Sequence, residues 1–292
     1  MLNILKIIFP KHLKNILIFF PVIISGHEIN KVILADFILG FIIFSIITSV
    51  IYLTNDFIDF KIDKINKLKK NNNIRRILEK KTIIVLNFLL CPFFLALLWL
   101  DYFSIYLIFY LILFYFYTFF GKNIKFIDLV LLNSFYIVRL LYGCDLFELE
   151  ISYWFLLFFS SLFFILSIFK RFIQINVNNI IKKNNIIPYT FKDLPIFKNL
   201  IILTFLFNIM IFILFIFQIE LNLVDIFSST TTYINFNKFI YLLILLIYVL
   251  NILILINLIF KNKVKRDIFN YVVNSPIIIF SSILVVLIIL IT

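Results

Sequence analysis

Nine apolar runs dominate this sequence, all but the first, which is short and broken by Pro21, close to the roughly 20 residues that carry a helix across a bilayer. They fall at 13–25, 32–53, 82–100, 102–120, 126–144, 152–169, 197–219, 238–260 and 275–291. The 292-residue chain is 64% hydrophobic with 40 Phe, more apolar surface than one core can hide, since soluble domains run at about 45–50%. Hydrocarbon offers backbone polar groups no partner, so only helices or closed barrels cross it. These runs are too long and too continuous for the ten-residue alternation of barrel strands. The sequence therefore predicts an all-α integral membrane protein, a bundle of nine transmembrane helices.

Charge orients that bundle, because cytoplasmic loops retain Lys and Arg. Basic residues gather at Lys6, Lys11 and Lys14, at 54–81, at Lys122 and Lys125, at 170–198 and at 261–266. The alternate connections carry Glu28, Asp101, Asp145, Glu148, Glu150, Glu220 and Asp225 instead. The alternation predicts a cytoplasmic N-terminus and a C-terminus outside, as in a multi-pass protein of the bacterial inner (cytoplasmic) membrane. The net charge of +12 then reads as topology and affinity for anionic lipid, not as nucleic-acid binding. Residues 1–292 read as one membrane domain, with two long cytoplasmic loops at about 54–81 and 170–198. Cys91 and Cys144 lie inside spans without redox or zinc spacing and read as inert.

The stretch LTNDFIDFKIDKINKLKK, residues 53–70, ends an apolar run in three carboxylates. On a helix, Asp56, Asp59 and Asp63 fall within about 60° of one another, with Asn55 about 40° from Asp59. Clustered carboxylates repel unless a cation compensates. Hard divalent ions such as Mg²⁺ use one or two carboxylates together with phosphate oxygens of a substrate. The bland alternative, a charged helix end balanced by Lys61, Lys64 or Lys67, does not explain why the acids share one stripe at a membrane boundary. Arg139 is the basic residue well inside a span; a charge there costs about 2.5–3.5 kcal/mol unless it meets a partner or an aqueous cavity. His12, a lone interfacial histidine, reads as neither ligand nor base.

With Asn55 included, the pattern Asn-Asp-x-x-Asp-x-x-x-Asp resembles the UbiA superfamily of intramembrane prenyltransferases. The resemblance implies that Asn55, Asp56, Asp59 and Asp63 bind Mg²⁺ and a diphosphate at the cytoplasmic mouth of a nine-helix bundle. Aromatic-acceptor members carry a second Asp-rich motif after the sixth span, whereas here the only acid between 170 and 198 is Asp193. Upstream, YTFFGKNIKFIDLVLLNSFYIVRLLYG resembles the decaprenyl-phosphate phosphoribosyltransferase branch through Tyr117, Lys122, Asp128, Arg139 and Gly143, with every spacing kept. Lys170, Arg171 and Gln174 correspond to the branch's Lys-Arg-x-x-Glu, with Gln in place of Glu. Pro10, Lys14 and Asn15 match its opening, and Lys69 aligns in the loop after the metal motif. Asp267 and Asn274 correspond loosely to a C-terminal stretch.

The resemblance implies a Mg²⁺-dependent transfer of 5-phosphoribosyl from phosphoribosyl diphosphate to a polyprenyl phosphate, releasing diphosphate. Asp56, Asp59 and Asp63 would act on the metal-bound diphosphate. Lys14, Asn15, Asn55, Lys69, Tyr117, Lys122, Asp128, Arg139, Lys170, Arg171 and Gln174 would bind the two phosphorylated substrates. Other readings stay open on the residues alone: a prenyltransferase using a prenyl diphosphate and an aromatic acceptor, a polyprenyl-lipid transporter, or an inactive relative.

Overall fold

The computed structural model describes residues 12–25, 30–58, 80–99, 102–180, 188–221, 238–261 and 275. All regular structure among them is helical. A 3₁₀ stretch, Leu13–Phe19, leads into α1 (Phe20–Ser25), followed by α2 (Lys31–Ile58), α3 (Lys80–Phe88), α4 (Leu90–Trp99) and α5 (Ile105–Phe119). After a 3₁₀ turn at Gly121–Asn123 come α6 (Ile127–Leu146), α7 (Tyr153–Ile180), a second 3₁₀ turn at Phe191–Asp193, α8 (Leu194–Leu221) and α9 (Lys238–Phe260).

Among the described residues, and with α3 and α4 counted together, five helical segments are long and apolar enough to cross a membrane: Lys31–Ile58, Lys80–Trp99, Ile127–Leu146, Tyr153–Asn176 and Phe191–Phe215. Shorter apolar helices at Leu13–Ser25, Ile105–Phe119 and Ile244–Phe260 coincide with further runs of the sequence. The last run, 275–291, lies outside the described residues apart from Ser275.

Local chemistry sets several of these boundaries. Asn30 caps α2, its Oδ1 accepting from the Ile33 N–H at 2.9 Å, and Ser104 caps α5 by accepting from the Tyr106 N–H. Pro92 has no N–H and its ring crowds the carbonyl four residues back, at Phe88, which is where α3 gives way to α4. The connection expected from residue 170 starts later, because buried Phe172, Ile173 and Ile175 prolong the apolar face of α7 and the helix runs on to Ile180. Lys170, Arg171 and Gln174 are consequently helical.

The chain groups into two compact units. The first comprises Met1–Gly121 with Val138–Leu149, the second Lys122–Ile137 with Glu150–Thr292, so α6 contributes its start to one and its end to the other. The first unit packs Ile18, Phe44, Ile47, Leu107 and Leu140 out of contact with solvent. In the second, Leu129 of α6, Ile165 and Phe169 of α7, Phe197 and Ile201 of α8 and Ile259 of α9 form a common core. Lipid is as apolar as leucine, so packing and interhelical hydrogen bonds hold such helices together. Asn208 on α8 illustrates the second kind. Its amide donates to the Phe158 carbonyl at 2.9 Å and to Ser161 Oγ at 2.6 Å, while its oxygen accepts from the Tyr248 hydroxyl, tying α7, α8 and α9.

Candidate functional site

The polar stripe read from the sequence does not begin at Asn55. Ser45, Thr48, Ser49, Tyr52, Asn55 and Asp56 recur at steps of three or four, within about 120° of arc. A polar track thus runs from the middle of an apolar helix to its C-terminal turn. Asn55 and Asp56 are half-buried at that end; Asp59, Asp63 and Lys69 lie outside the described residues.

Asn15 sits against this track with no exposed surface. Its amide nitrogen donates to Ser45 Oγ and Thr48 Oγ1, both at 3.1 Å. Its oxygen accepts from Arg139 Nε at 3.2 Å. Arg139, only 3% exposed, also donates through Nη2 to the Tyr52 hydroxyl at 3.2 Å and the Tyr110 hydroxyl at 2.6 Å. Its guanidinium carbon lies 5.0 Å from the Tyr110 ring centroid and 5.7 Å from that of Phe44. Oxygen acceptors and two ring faces together offset the cost of burying this cation. Tyr52 is one helical turn from Asp56, so the cation and the carboxylate share one track.

Gly143 explains how Asn15 reaches Arg139. A Cβ at Gly143 would stand 2.2 Å from the Ile18 carbonyl oxygen. Only glycine lets the 3₁₀ stretch that carries Asn15 lie directly on the turn of α6 that follows Arg139. The paired Arg139 and Gly143 of the sequence pattern are therefore parts of one contact. His12 belongs here too, although sequence reasoning set it aside. Its Nε2 is 3.0 Å from Ser49 Oγ, and its Nδ1 is 3.3 Å from both Thr48 Oγ1 and the Asn15 amide nitrogen. Beside Phe44, the buried hydroxyl of Tyr142 has no hydrogen-bond partner among the described residues.

A second polar group occupies the second unit. Asp128, with 0% exposure, accepts from Arg171 Nε and from the Tyr189 hydroxyl. Arg171, 5% exposed, also donates through Nη1 to Gln174 Oε1 at 2.5 Å. Gln174 thus keeps an acceptor for Arg171 while leaving the group one negative charge lighter than Glu would. Burial, followed by the bond to Asp128, pushes the Tyr189 hydroxyl well above the ordinary tyrosine range. That hydroxyl also accepts from the Phe126 N–H at 2.7 Å. Phe126 has φ of 65°, a left-handed conformation that costs a residue with a Cβ about 1–2 kcal/mol, and this bond helps to hold it.

Among the residues expected from the sequence, Asn15 and Arg139 meet in the first unit, and Asp128, Arg171 and Gln174 meet in the second. Lys14, Tyr117, Lys122 and Lys170 are half-buried, Tyr117 near the end of α5 and Lys122 in the turn before α6. Among the described residues no three His, Cys, Asp or Glu side chains group closely enough to hold a metal ion. Asn55 and Asp56 nevertheless suit a hard cation. They offer oxygen donors in the last turn of α2, where the helix's unbonded carbonyls concentrate negative potential and a carboxylate is stabilised by a positive ion. Comparison with models of known protein families and with curated proteins finds no match. The likeness to the UbiA superfamily therefore rests on the residue pattern itself.

Proposed function

We propose that this chain is a membrane-embedded phosphoribosyltransferase of the UbiA type, moving 5-phosphoribosyl from phosphoribosyl diphosphate to a polyprenyl phosphate. The observation that carries the reading is the α2 track, which links buried Arg139, through Tyr52, to the turn bearing Asn55 and Asp56. An anion-binding cation and a metal-binding turn on one intramembrane track suit a diphosphate better than an apolar or uncharged substrate.

In this reading a lipid-phosphate oxygen forms a bond to ribose C1 as the bond from C1 to the diphosphate oxygen breaks. The diphosphate leaves with the electron pair. The nucleophile is already anionic, so no general base is required and positioning dominates. Asn55, Asp56, Asp59 and Asp63 would hold Mg²⁺, which when bound offsets charge on the departing diphosphate. Arg139, fixed by Asn15, Tyr52 and Tyr110, supplies a preorganised positive charge to the donor. Lys14, Lys69, Lys122 and Lys170 add charge for the remaining phosphates, Asp128 and Gln174 orient Arg171, and Tyr117 contacts substrate. The proposed enzyme has nine spans, a cytoplasmic N-terminus, an outer C-terminus and a site open to the cytoplasm of a bacterial inner membrane.

An aromatic prenyltransferase is less well supported. It needs a second acidic diphosphate site, and Asp193 is held by Lys125 Nζ at 2.8 and 2.9 Å and by the Thr190 N–H at 2.7 Å. The proposal is tested with purified protein, Mg²⁺, polyprenyl phosphate and labelled phosphoribosyl diphosphate. Label should enter the lipid phase, and Asp59→Asn should abolish its entry without lowering thermal stability. Undiminished transfer by Asp59→Asn would remove the metal role.

A further inference from the structure

At the junction of α7, α8 and α9, within the second unit, a cleft of about 450 Å³ lies among Phe172, Asn176, Phe191, Lys192, Lys198 and Phe260. Its chemistry is divided. Three aromatic rings form an apolar floor, and two exposed lysines stand over it, Lys198 with its ammonium 5.6 Å from the Phe260 ring centroid. Asp193, the nearest acid in sequence, is taken by Lys125, and among the described residues neither Lys192 nor Lys198 forms an ion pair. The cleft is thus net positive.

Beyond Lys198 and Asn199 the exposed surface leading away from it is apolar. Pro195, Lys198, Ile202 and Leu206 lie within about 80° of arc on α8, and all four are exposed. From Pro195 to Leu206 the helix rises about 16 Å, close to half the ~30 Å hydrocarbon thickness of a bilayer. Positive charge at one end of an apolar strip one leaflet deep matches a molecule with an anionic head and an alkyl tail aligned with the helices. We propose that this cleft binds the phosphate of an anionic bilayer phospholipid, with an acyl chain lying along α8 over Ile202 and Leu206. Basic pockets between membrane helices are suited to such headgroups, and the rings hold the lysine stems and the glycerol end of the lipid away from water.

The test needs no transferase activity, so it stands apart from the proposed reaction. The purified full-length chain is equilibrated in detergent with equal amounts of phosphatidylglycerol and phosphatidylcholine, and retained lipid is counted by native mass spectrometry. Phosphatidylglycerol should be preferred. Lys192→Gln with Lys198→Gln should weaken its retention about thirtyfold, the loss expected for two interfacial lysines. Lys192→Arg with Lys198→Arg should bind as the unaltered chain does, as should Lys80→Gln with Lys81→Gln, which removes exposed charge from α3. Equal retention of the two lipids, no effect of the Gln pair, loss on the Arg pair, or an equal loss on changing Lys80 and Lys81 would each overturn the proposal. Displacement by millimolar inorganic phosphate alone would also overturn it, assigning the lysines to a free anion. Preferred retention of a polyprenyl phosphate would instead make the cleft a substrate site and overturn the phospholipid assignment.

Discussion

Asp128 is the residue whose removal should be felt most widely in the second unit. Its carboxylate has 0% exposure and accepts from two donors that are themselves buried, Arg171 and Tyr189. Asp128→Ala removes the carboxylate that faces the Arg171 guanidinium, while Arg171 Nη1 keeps its bond to Gln174 Oε1. Removing one partner of a buried ion pair costs about 3–5 kcal/mol, and the bond to Gln174 that survives places the expected loss at the lower end, roughly 3 kcal/mol. For a chain of this size that lowers the apparent melting temperature by roughly 6–12 °C. Fluorescence-detected size exclusion of heated, detergent-solubilised protein measures the shift. The cost should arise from the buried charge that loses its carboxylate, so Asp128→Leu combined with Arg171→Met should recover most of the loss. An Asp128→Ala protein that melts with the parent, or a double variant as damaged as the two single changes added together, would refute the reasoning.

Other predictions read out in the same assay. Gly143→Ala should cost about 3 kcal/mol, because its Cβ meets a backbone carbonyl that cannot rotate away, whereas Gly40→Ala should cost under about 1 kcal/mol, because it meets only the movable Leu146 side chain. Tyr142→Phe should leave stability unchanged or raise it slightly, since the buried hydroxyl makes no hydrogen bond among the described residues. The raised Tyr189 hydroxyl keeps its proton in the folded chain after the unfolded chain has begun to lose its own near the ordinary value of 10.0. Its contribution to stability is therefore complete below about pH 10 and lost as pH rises beyond it, and Tyr189→Phe should flatten that part of a melting curve against pH.

The five long apolar helical segments among the described residues were legible because their signal is additive: about 20 apolar residues announce a helix whatever their individual partners. Arg139 was legible for the opposite reason, as a single charge whose position is costly. The Ser45, Thr48 and Ser49 part of the α2 track was missed because small hydroxyl residues barely alter local hydropathy and can bond to their own helix, as Thr48 does with the Phe44 carbonyl at 2.9 Å. Its signal was nonetheless present, in the backward continuation of the Asp56, Asp59 and Asp63 periodicity. The partnership of Asp128 with Arg171 spans 43 residues, and no local pattern announces it. Lys170 and Arg171, adjacent in sequence and read together as phosphate ligands, project about 100° apart on α7. Arg171 is directed to Asp128 and Gln174, a buried group that the half-buried Lys170, one position earlier and turned in another direction, does not face.

The most direct test of the proposed function offers both donors to one preparation. Purified protein with Mg²⁺ and polyprenyl phosphate receives labelled phosphoribosyl diphosphate in one arm; the other receives a labelled prenyl diphosphate with an aromatic acid. Mg²⁺-dependent label is expected in the lipid phosphate of the first arm, with no alkylated acid in the second. Alkylated acid without any phosphoribosylated lipid would contradict it.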